Sequence, residues 1–132
     1  MARVRDKVAI VTGAARGIGE ACARMLAAEA ATVLVTDIDD AIGASVAASI
    51  GGAARYEHLD VREEADWGRV IAGVVQRHGR LDVLVNNAGI TGFVPPMGPQ
   101  DPEHASLESW RAVHATTLEG VFLGCKHAIA AM

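Results

Sequence analysis

Four consecutive apolar residues, Val8 to Val11, run through Thr12 into a segment punctuated by Gly13, Gly17 and Gly19. The apolar run reads as a strand over 7–12 buried on both faces, and the glycines as a tight turn feeding a helix over 18–29. Strand, glycine turn and helix in that order make a seat for a dinucleotide. Glycine lets the main chain approach a pyrophosphate, and the first-turn N–H groups with the helix dipole offset its charge. The spacing Gly-x-x-x-Gly-x-Gly differs from the commoner GxGxxG. It is also not a triphosphate loop, because no GK[ST] follows and the nearby Lys7 precedes the strand. Alone, these glycines would equally suit an ordinary strand-to-helix turn, so the downstream features decide.

The rest of the chain repeats the same alternation. Strands are expected at 32–36, 54–59 and 81–85, separated by helices at 39–50 and 63–78, with a last helix from 107 to 132 capped by Ser106. Apolar faces are read at Ile18, Cys22, Met25 and Leu26 in the first helix and at Trp67, Val70, Ile71, Val74 and Val75 in the third. In the last helix they are Leu107, Trp110, Val113, Leu118, Val121, Phe122 and Cys125. Gly43, inside the second helix, is expected to cost about 1 kcal/mol relative to alanine. The fold class is therefore α/β: a Rossmann-type three-layer sandwich with a partial parallel sheet of four strands and flanking helices.

This topology brings Gly13, Asp37 and Asp60 to one edge of the sheet. Asp37 lies 18 residues beyond Gly19, where a carboxylate is suited to accept hydrogen bonds from the adenosine ribose hydroxyls. It would repel a 2′-phosphate, which favours NAD over NADP, although Arg16 is placed to compensate part of such a charge. Merely opening the next helix is the competing role for Asp37. Asp60 is suited to meet the adenine amino group while Val61 covers the ring, and capping of the helix at 63–78 competes. The segment 90–105 holds all four prolines with Gly92 and Gly98. It reads as a loop over the nicotinamide or substrate, with a plain connector as the alternative; Phe93, Val94 and Met97 favour an apolar alcohol or ketone there.

Composition removes other classes. A chain of 132 residues with 51% hydrophobic residues and a formal charge of -4 is sized for one domain or part of one with a real core. Neither a membrane-spanning run nor a signal peptide is present, so a soluble, cytoplasmic setting is expected. Scattered basic residues and few aromatics (Tyr56, Trp67, Phe93, Trp110, Phe122) argue against nucleic acid. His58, His78, His104, His114 and His127 show no HExxH or compact spacing, so no metal is expected, and Cys22 and Cys125 read as reduced packing residues. His114 and Glu119 read as solvent-facing rather than as part of a substrate site.

Taken together, Thr12-Gly13-Ala14-Ala15-Arg16-Gly17-Ile18-Gly19, Asp37, Asp60-Val61, Asn86-Asn87-Ala88-Gly89 and the long helix from Leu107 resemble the short-chain dehydrogenase/reductase family over essentially the whole chain. The resemblance implies that Gly13, Arg16, Gly17, Ile18 and Gly19 surround the pyrophosphate and that Asp37 reads the ribose. Asp60 and Val61 would flank adenine, while Asn87, Ala88 and Gly89 would pass the nicotinamide ribose and stabilise the central strand. The family's Asn-Leu-x-Gly corresponds to Thr117-Leu118-Glu119-Gly120, which puts Thr117 at the position of an asparagine that holds the proton-relay water and catalytic lysine. A hydroxyl has a shorter reach than a carboxamide, so slower proton transfer or a water taking over the missing contacts would follow, with a noncatalytic helix threonine as the alternative.

The family's catalytic Ser and Tyr-x-x-x-Lys set would lie beyond Met132, since the single tyrosine, Tyr56, has Lys126 as its next lysine. Residues 1–132 are thus expected to be the N-terminal part of one dinucleotide-binding domain, inactive alone. When complete, it would be an NAD-dependent dehydrogenase or reductase moving hydride between nicotinamide and a secondary alcohol or ketone, and a homo-oligomer. The alternatives are a noncatalytic NAD-binding or regulatory module, or a fragment with no function of its own. An exposed edge at 81–85 would favour a partner strand, self-association or incomplete order.

Overall fold

The computed structural model describes residues 2–93 and 97–132. Val94, expected in the apolar loop wall, and the Pro95-Pro96 pair lie outside the described residues. The element order is β1 (Val8–Val11), α1 (Gly17–Ala28), β2 (Thr32–Asp37), α2 (Asp40–Ile50), β3 (Ala54–His58), α3 (Glu64–His78), β4 (Val83–Val85), α4 (Leu107–His114), a π turn (Ala115–Glu119) and α5 (Gly120–Ala131). All pairings are parallel, in the order β3-β2-β1-β4. After β3 the chain crosses to the far side of β1, which makes the C-terminal ends of β1 and β4 the point where strand order reverses. Ligand crevices of open α/β sheets form at such points.

β1 is sealed on both faces, with Ala9, Ile10 and Val11 fully buried. Its alternate residues feed two cores. Ile10 joins Leu34, Leu59, Val61, Trp67, Val70, Val74 and Ala128 on the side of α3 and α5. Val11 joins Ala23, Val33, Val35, Val46 and Ala47 on the side of α1 and α2. The three-layer α/β sandwich is thus the expected one. β4 is shorter than the expected 81–85 and only half-buried, and one reason lies at Asp82. Its carboxylate accepts the Val8 N–H at 2.9 Å, so a side chain replaces a main-chain acceptor at the strand entrance.

Two helices bury only part of the face expected of them: Cys22 and Leu26 pack half-buried against the core, and Val113, Val121 and Cys125 are half-buried, whereas the remaining expected positions turn outward. In α1, Ile18 and Met25 are exposed, and the buried positions are Gly19 and Ala23. In the last helix Leu107, Trp110, Leu118 and Phe122 are exposed, while Ser109, Gly120, Gly124 and Ala128 face inward. The reason is close approach. A Cβ on Gly120 would lie 2.7 Å from Val61 Cγ2, and one on Gly124 would lie 2.5 Å from Asn86 Oδ1 and 2.8 Å from Trp67 Cη2. Large side chains therefore cannot occupy these closest positions, and the large apolar residue that packs from α5 onto this core, Leu123, does so half-buried beside them. Val75 of α3 is likewise exposed.

Gly43 also has a packing role that propensity alone hides, because a Cβ there would overlap the Tyr56 ring. The expected single helix over 107–132 is interrupted at 115–119, where one wider π turn shifts the hydrogen-bond ladder. Its flanking residues keep right-handed helical dihedrals, so the axis continues through it. Ser106 does cap the start, accepting the Ser109 N–H at 3.0 Å. No helix among the described residues is long and apolar enough to cross a membrane.

Candidate functional site

The turn after β1 is held from beneath by a residue that the strand pattern conceals. Thr12 is buried, and its Oγ1 accepts the N–H groups of Asn87 at 3.0 Å and Ala88 at 2.9 Å while donating to Val85 O at 3.3 Å. Asn87 completes the tie: its Nδ2 donates to Thr12 O at 3.0 Å and Gly13 O at 3.1 Å. The end of β4 is thereby locked against the end of β1. Thr12 escapes sequence reasoning as a site residue because a β-branched side chain at a strand end reads as packing; its position directly before Gly13 is the signal that could reveal it.

The three glycines meet three separate demands. Gly13 has φ +60° and lies so near the β4 extension that a Cβ would sit 2.9 Å from Ala88 Cα. Gly17 has φ +62° with open space around it, so its demand is conformational. Gly19 is the tightest, since a Cβ would overlap the Gly13 carbonyl oxygen and lie 2.5 Å from Asn87 Nδ2. Arg16, at the N-cap position of α1, provides no side-chain cap. The first-turn N–H groups of α1 are left for an external acceptor, which the helix dipole favours as an anion.

Asp37 closes the other side of the turn. Its Oδ2 accepts the Ala15 N–H at 3.0 Å, and its Oδ1 accepts those of Ile38 at 2.8 Å and Asp39 at 3.0 Å. A carboxylate has about four acceptor sites, so these three bonds leave roughly one, on Oδ2. Capping of α2 falls to Asp39, whose Oδ1 accepts the Ile42 N–H at 3.2 Å. Asp60 does not cap α3 either, as the N-cap position is Glu63. The Asp60 carboxylate instead grips Arg62, through Nη2 at 2.6 Å, Nε at 2.9 Å and the main-chain N–H at 3.0 Å. The Arg62 guanidinium holds the Asp60 carboxyl below the usual carboxylate range. An adenine amino group would have to share this carboxylate with Arg62.

Gly13, Arg16, Ile18, Asp37, Asp60, Val61, Asn87, Ala88 and Gly89 line one cavity of about 590 Å³, with Ile38, Leu59, Arg62, Ile90 and Thr116. Its size falls in the usual range for small-molecule sites. Gly17 and Gly19 form the turn behind it. Ile18 is exposed because it belongs to this wall and not to the core. Thr117 lies in the π turn, and its Oγ1 donates to Ile90 O at 3.3 Å and accepts Ile90 N–H at 3.4 Å. It steadies the start of the loop, while the neighbouring Thr116 lines the cavity.

Among the described residues of segment 90–105, only Ile90 reaches the cavity, and Phe93 is exposed. His114 stacks on Trp110 at 4.2 Å, away from the cavity lining. Cys22 and Cys125 are free thiols. The arrangement can seat an elongated ligand whose anionic centre meets N–H donors and whose hydroxyl meets a carboxylate.

Comparison with known proteins gives one consistent result. The family model described as short chain dehydrogenase matches residues 7–132. The 3-beta-hydroxysteroid dehydrogenase of Comamonas testosteroni is 42% identical over 130 residues, covering 98% of this chain and 49% of that protein. Momilactone A synthase of Oryza sativa subsp. japonica is 42% identical over 127 residues, covering 96% and 45%. The 3-alpha-(or 20-beta)-hydroxysteroid dehydrogenase of Mycobacterium tuberculosis is 41% identical over 130 residues, covering 98% and 48%. The chain spans about half the length of the curated relatives it matches.

Proposed function

The chain belongs to the short chain dehydrogenase family, and on that premise we propose that residues 1–132 are the N-terminal, coenzyme-binding part of an NAD-dependent dehydrogenase or reductase acting on a secondary alcohol or ketone. The observation that carries this reading is the glycine seat at the start of α1, tied to Asn87 and ending at Asp37. The residues fit the coenzyme: added Cβ atoms at Gly13 and Gly19 would distort the seat, and the uncapped first turn of α1 offers donors to a pyrophosphate.

In this reading Gly13, Arg16, Gly17, Ile18 and Gly19 bind the pyrophosphate, and the remaining acceptor site of Asp37 takes one ribose hydroxyl. Asp60 and Val61 border adenine. Asn87, Ala88 and Gly89 pass the nicotinamide ribose, and Thr117 acts by positioning Ile90 and the loop behind it. When bound, the nicotinamide accepts or supplies the hydride. Tyr56 is not the proton donor, because its hydroxyl lies within hydrogen-bond distance of Asp37 O at 2.9 Å and Asp40 Oδ1 at 2.6 Å on the β3 side of the sheet. In this reading the Ser and Tyr-x-x-x-Lys set that the family resemblance implies lies outside residues 1–132.

An apolar substrate is in keeping with the hydroxysteroid dehydrogenases among the relatives. Homo-oligomerisation is supported by the exposed Trp110, Leu118, Phe122 and Ile129 on the last helix. A cytoplasmic setting completes the reading. Calorimetric titration of the folded protein with NAD+ and NADP+ tests it, with NAD+ expected to bind more tightly. Asp37→Ala should lower the NAD+/NADP+ affinity ratio about tenfold, the scale of one hydrogen bond to a charged acceptor. Unchanged selectivity, or no binding of either nucleotide, would refute the assignment.

A further inference from the structure

Both cations that line the cavity are already paired. Arg62 is held by Asp60, and Arg16 Nη2 lies 2.7 Å from Asp39 Oδ2. Asp39 is itself fixed. Its Oδ1 caps α2 through Ile42 N–H, and its own N–H is held at 3.0 Å by Asp37 Oδ1. Arg16 follows Ala15, whose N–H is bound by Asp37 Oδ2. The pair thus bridges the β1–α1 and β2–α2 turns beside the carboxylate proposed to meet the ribose, with the anion pre-positioned and the cation drawn onto it.

We propose that Asp39 is a specificity-determining residue that holds the Arg16 guanidinium on the α2 cap, so that a nucleotide carrying a phosphomonoester at the 2′ position meets Asp37 with both cations of the cavity already paired. The inference rests on the coenzyme reading above and deepens it. It also changes the meaning of Arg16, whose charge would otherwise be expected to welcome a 2′-phosphate. With Asp39 neutral, the exposed arm of Arg16 is released to form the charge-assisted hydrogen bonds that guanidinium groups make with phosphate.

The test is a double-mutant cycle read by calorimetric titration with NADP+ and NAD+. Asp39→Asn removes the charge and keeps a good N-cap residue, and Asp39→Ser serves if that variant does not fold, as judged by circular dichroism. Asp39→Asn should raise the NADP+/NAD+ affinity ratio by about five- to tenfold, the scale of one new and partly exposed guanidinium–phosphate ion pair. The same change in an Arg16→Gln background should leave the ratio within about twofold, a coupling attributable to the pair. An unchanged ratio in folded Asp39→Asn would overturn the proposal. So would an equal rise with Arg16 absent, which would reduce the effect to simple loss of negative charge. If the folded native protein binds neither nucleotide, the coenzyme reading itself falls and this inference falls with it.

Discussion

Replacing Gly19 by alanine puts one methyl group where the structure has none to spare. The Cβ would overlap the Gly13 carbonyl and lie 2.5 Å from Asn87 Nδ2, the atom that ties the turn to β4 through Thr12 O and Gly13 O. Overpacking of a tight site costs about 1–3 kcal/mol. Displacing Asn87 endangers two hydrogen bonds worth about 1 kcal/mol each. Against this, alanine gains about 1 kcal/mol over glycine in a helix interior, and less in the first turn. The net expectation for Gly19→Ala is a loss of about 2 kcal/mol in urea unfolding, together with nucleotide binding weakened by more than the change in stability explains. Gly68→Ala is the matched control, because Gly68 lies in α3 with open space around its Cα; it should gain up to about 1 kcal/mol and leave binding alone. A Gly19→Ala protein as stable as the native one with undiminished nucleotide affinity would refute the close-approach argument.

Three further outcomes follow from the same contacts. Gly124→Ala should destabilise by about 1–2 kcal/mol net in urea unfolding without touching the cavity, since its Cβ would strike the Trp67 ring and the Asn86 amide; equal stability would show that the α5 seam can open at no cost. Tyr56 is the only tyrosine, so alkaline absorbance titration reads it alone. Burial first, then the hydrogen bond to Asp40 and the charges of Asp40, Asp37 and Asp39, push its pKa well above the ordinary value of about 10. Because the folded pKa is the higher one, its contribution to stability is complete below about pH 10 and is lost as pH rises toward the folded value. A folded protein with Tyr56 half-ionised near pH 10 would contradict this environment. Asp40→Asn should bring the titration part of the way down, leaving the share due to burial.

Much of the fold is legible in the sequence because its requirements are local. The run Val8 to Val11, largely β-branched and closed by glycines, reads as a strand buried on two faces, and Gly13, Gly17 and Gly19 mark the turn that follows it. The repeated strand–helix alternation then dictates a parallel sheet with right-handed crossovers, whereas the order β3-β2-β1-β4 is not encoded in it, because the connection from β3 to β4 passes two strands. Amphipathic periodicity finds the half-buried Cys22, Leu26, Val113, Val121 and Cys125 but misplaces Ile18, Met25, Leu107, Trp110, Leu118 and Phe122, for one reason. It marks where large apolar residues lie, whereas the closest seams here use Gly19 and Ala23, and Gly120, Gly124 and Ala128. The π turn at 115–119 is a shift in hydrogen-bond register with no composition of its own.

The cavity is legible in part. Asp37 and Asp60 stand out by their positions at strand ends, and both line it. Their partners do not, because the Arg16–Asp39 and Asp60–Arg62 pairs depend on side-chain placement that motif spacing does not encode. Thr12 is hidden by its similarity to a packing residue, and Thr116, not Thr117, lines the cavity.

The central claim is that a nicotinamide coenzyme lies with its paired phosphates against the first turn of α1 and its adenosine ribose against Asp37. A crystal structure of the protein with NAD+ bound tests this most directly. The account predicts phosphate oxygens within hydrogen-bond distance of main-chain N–H groups in 17–19 and a ribose hydroxyl on Asp37 Oδ2. A nucleotide bound elsewhere on the molecule, or one whose phosphates avoid that turn, would contradict it.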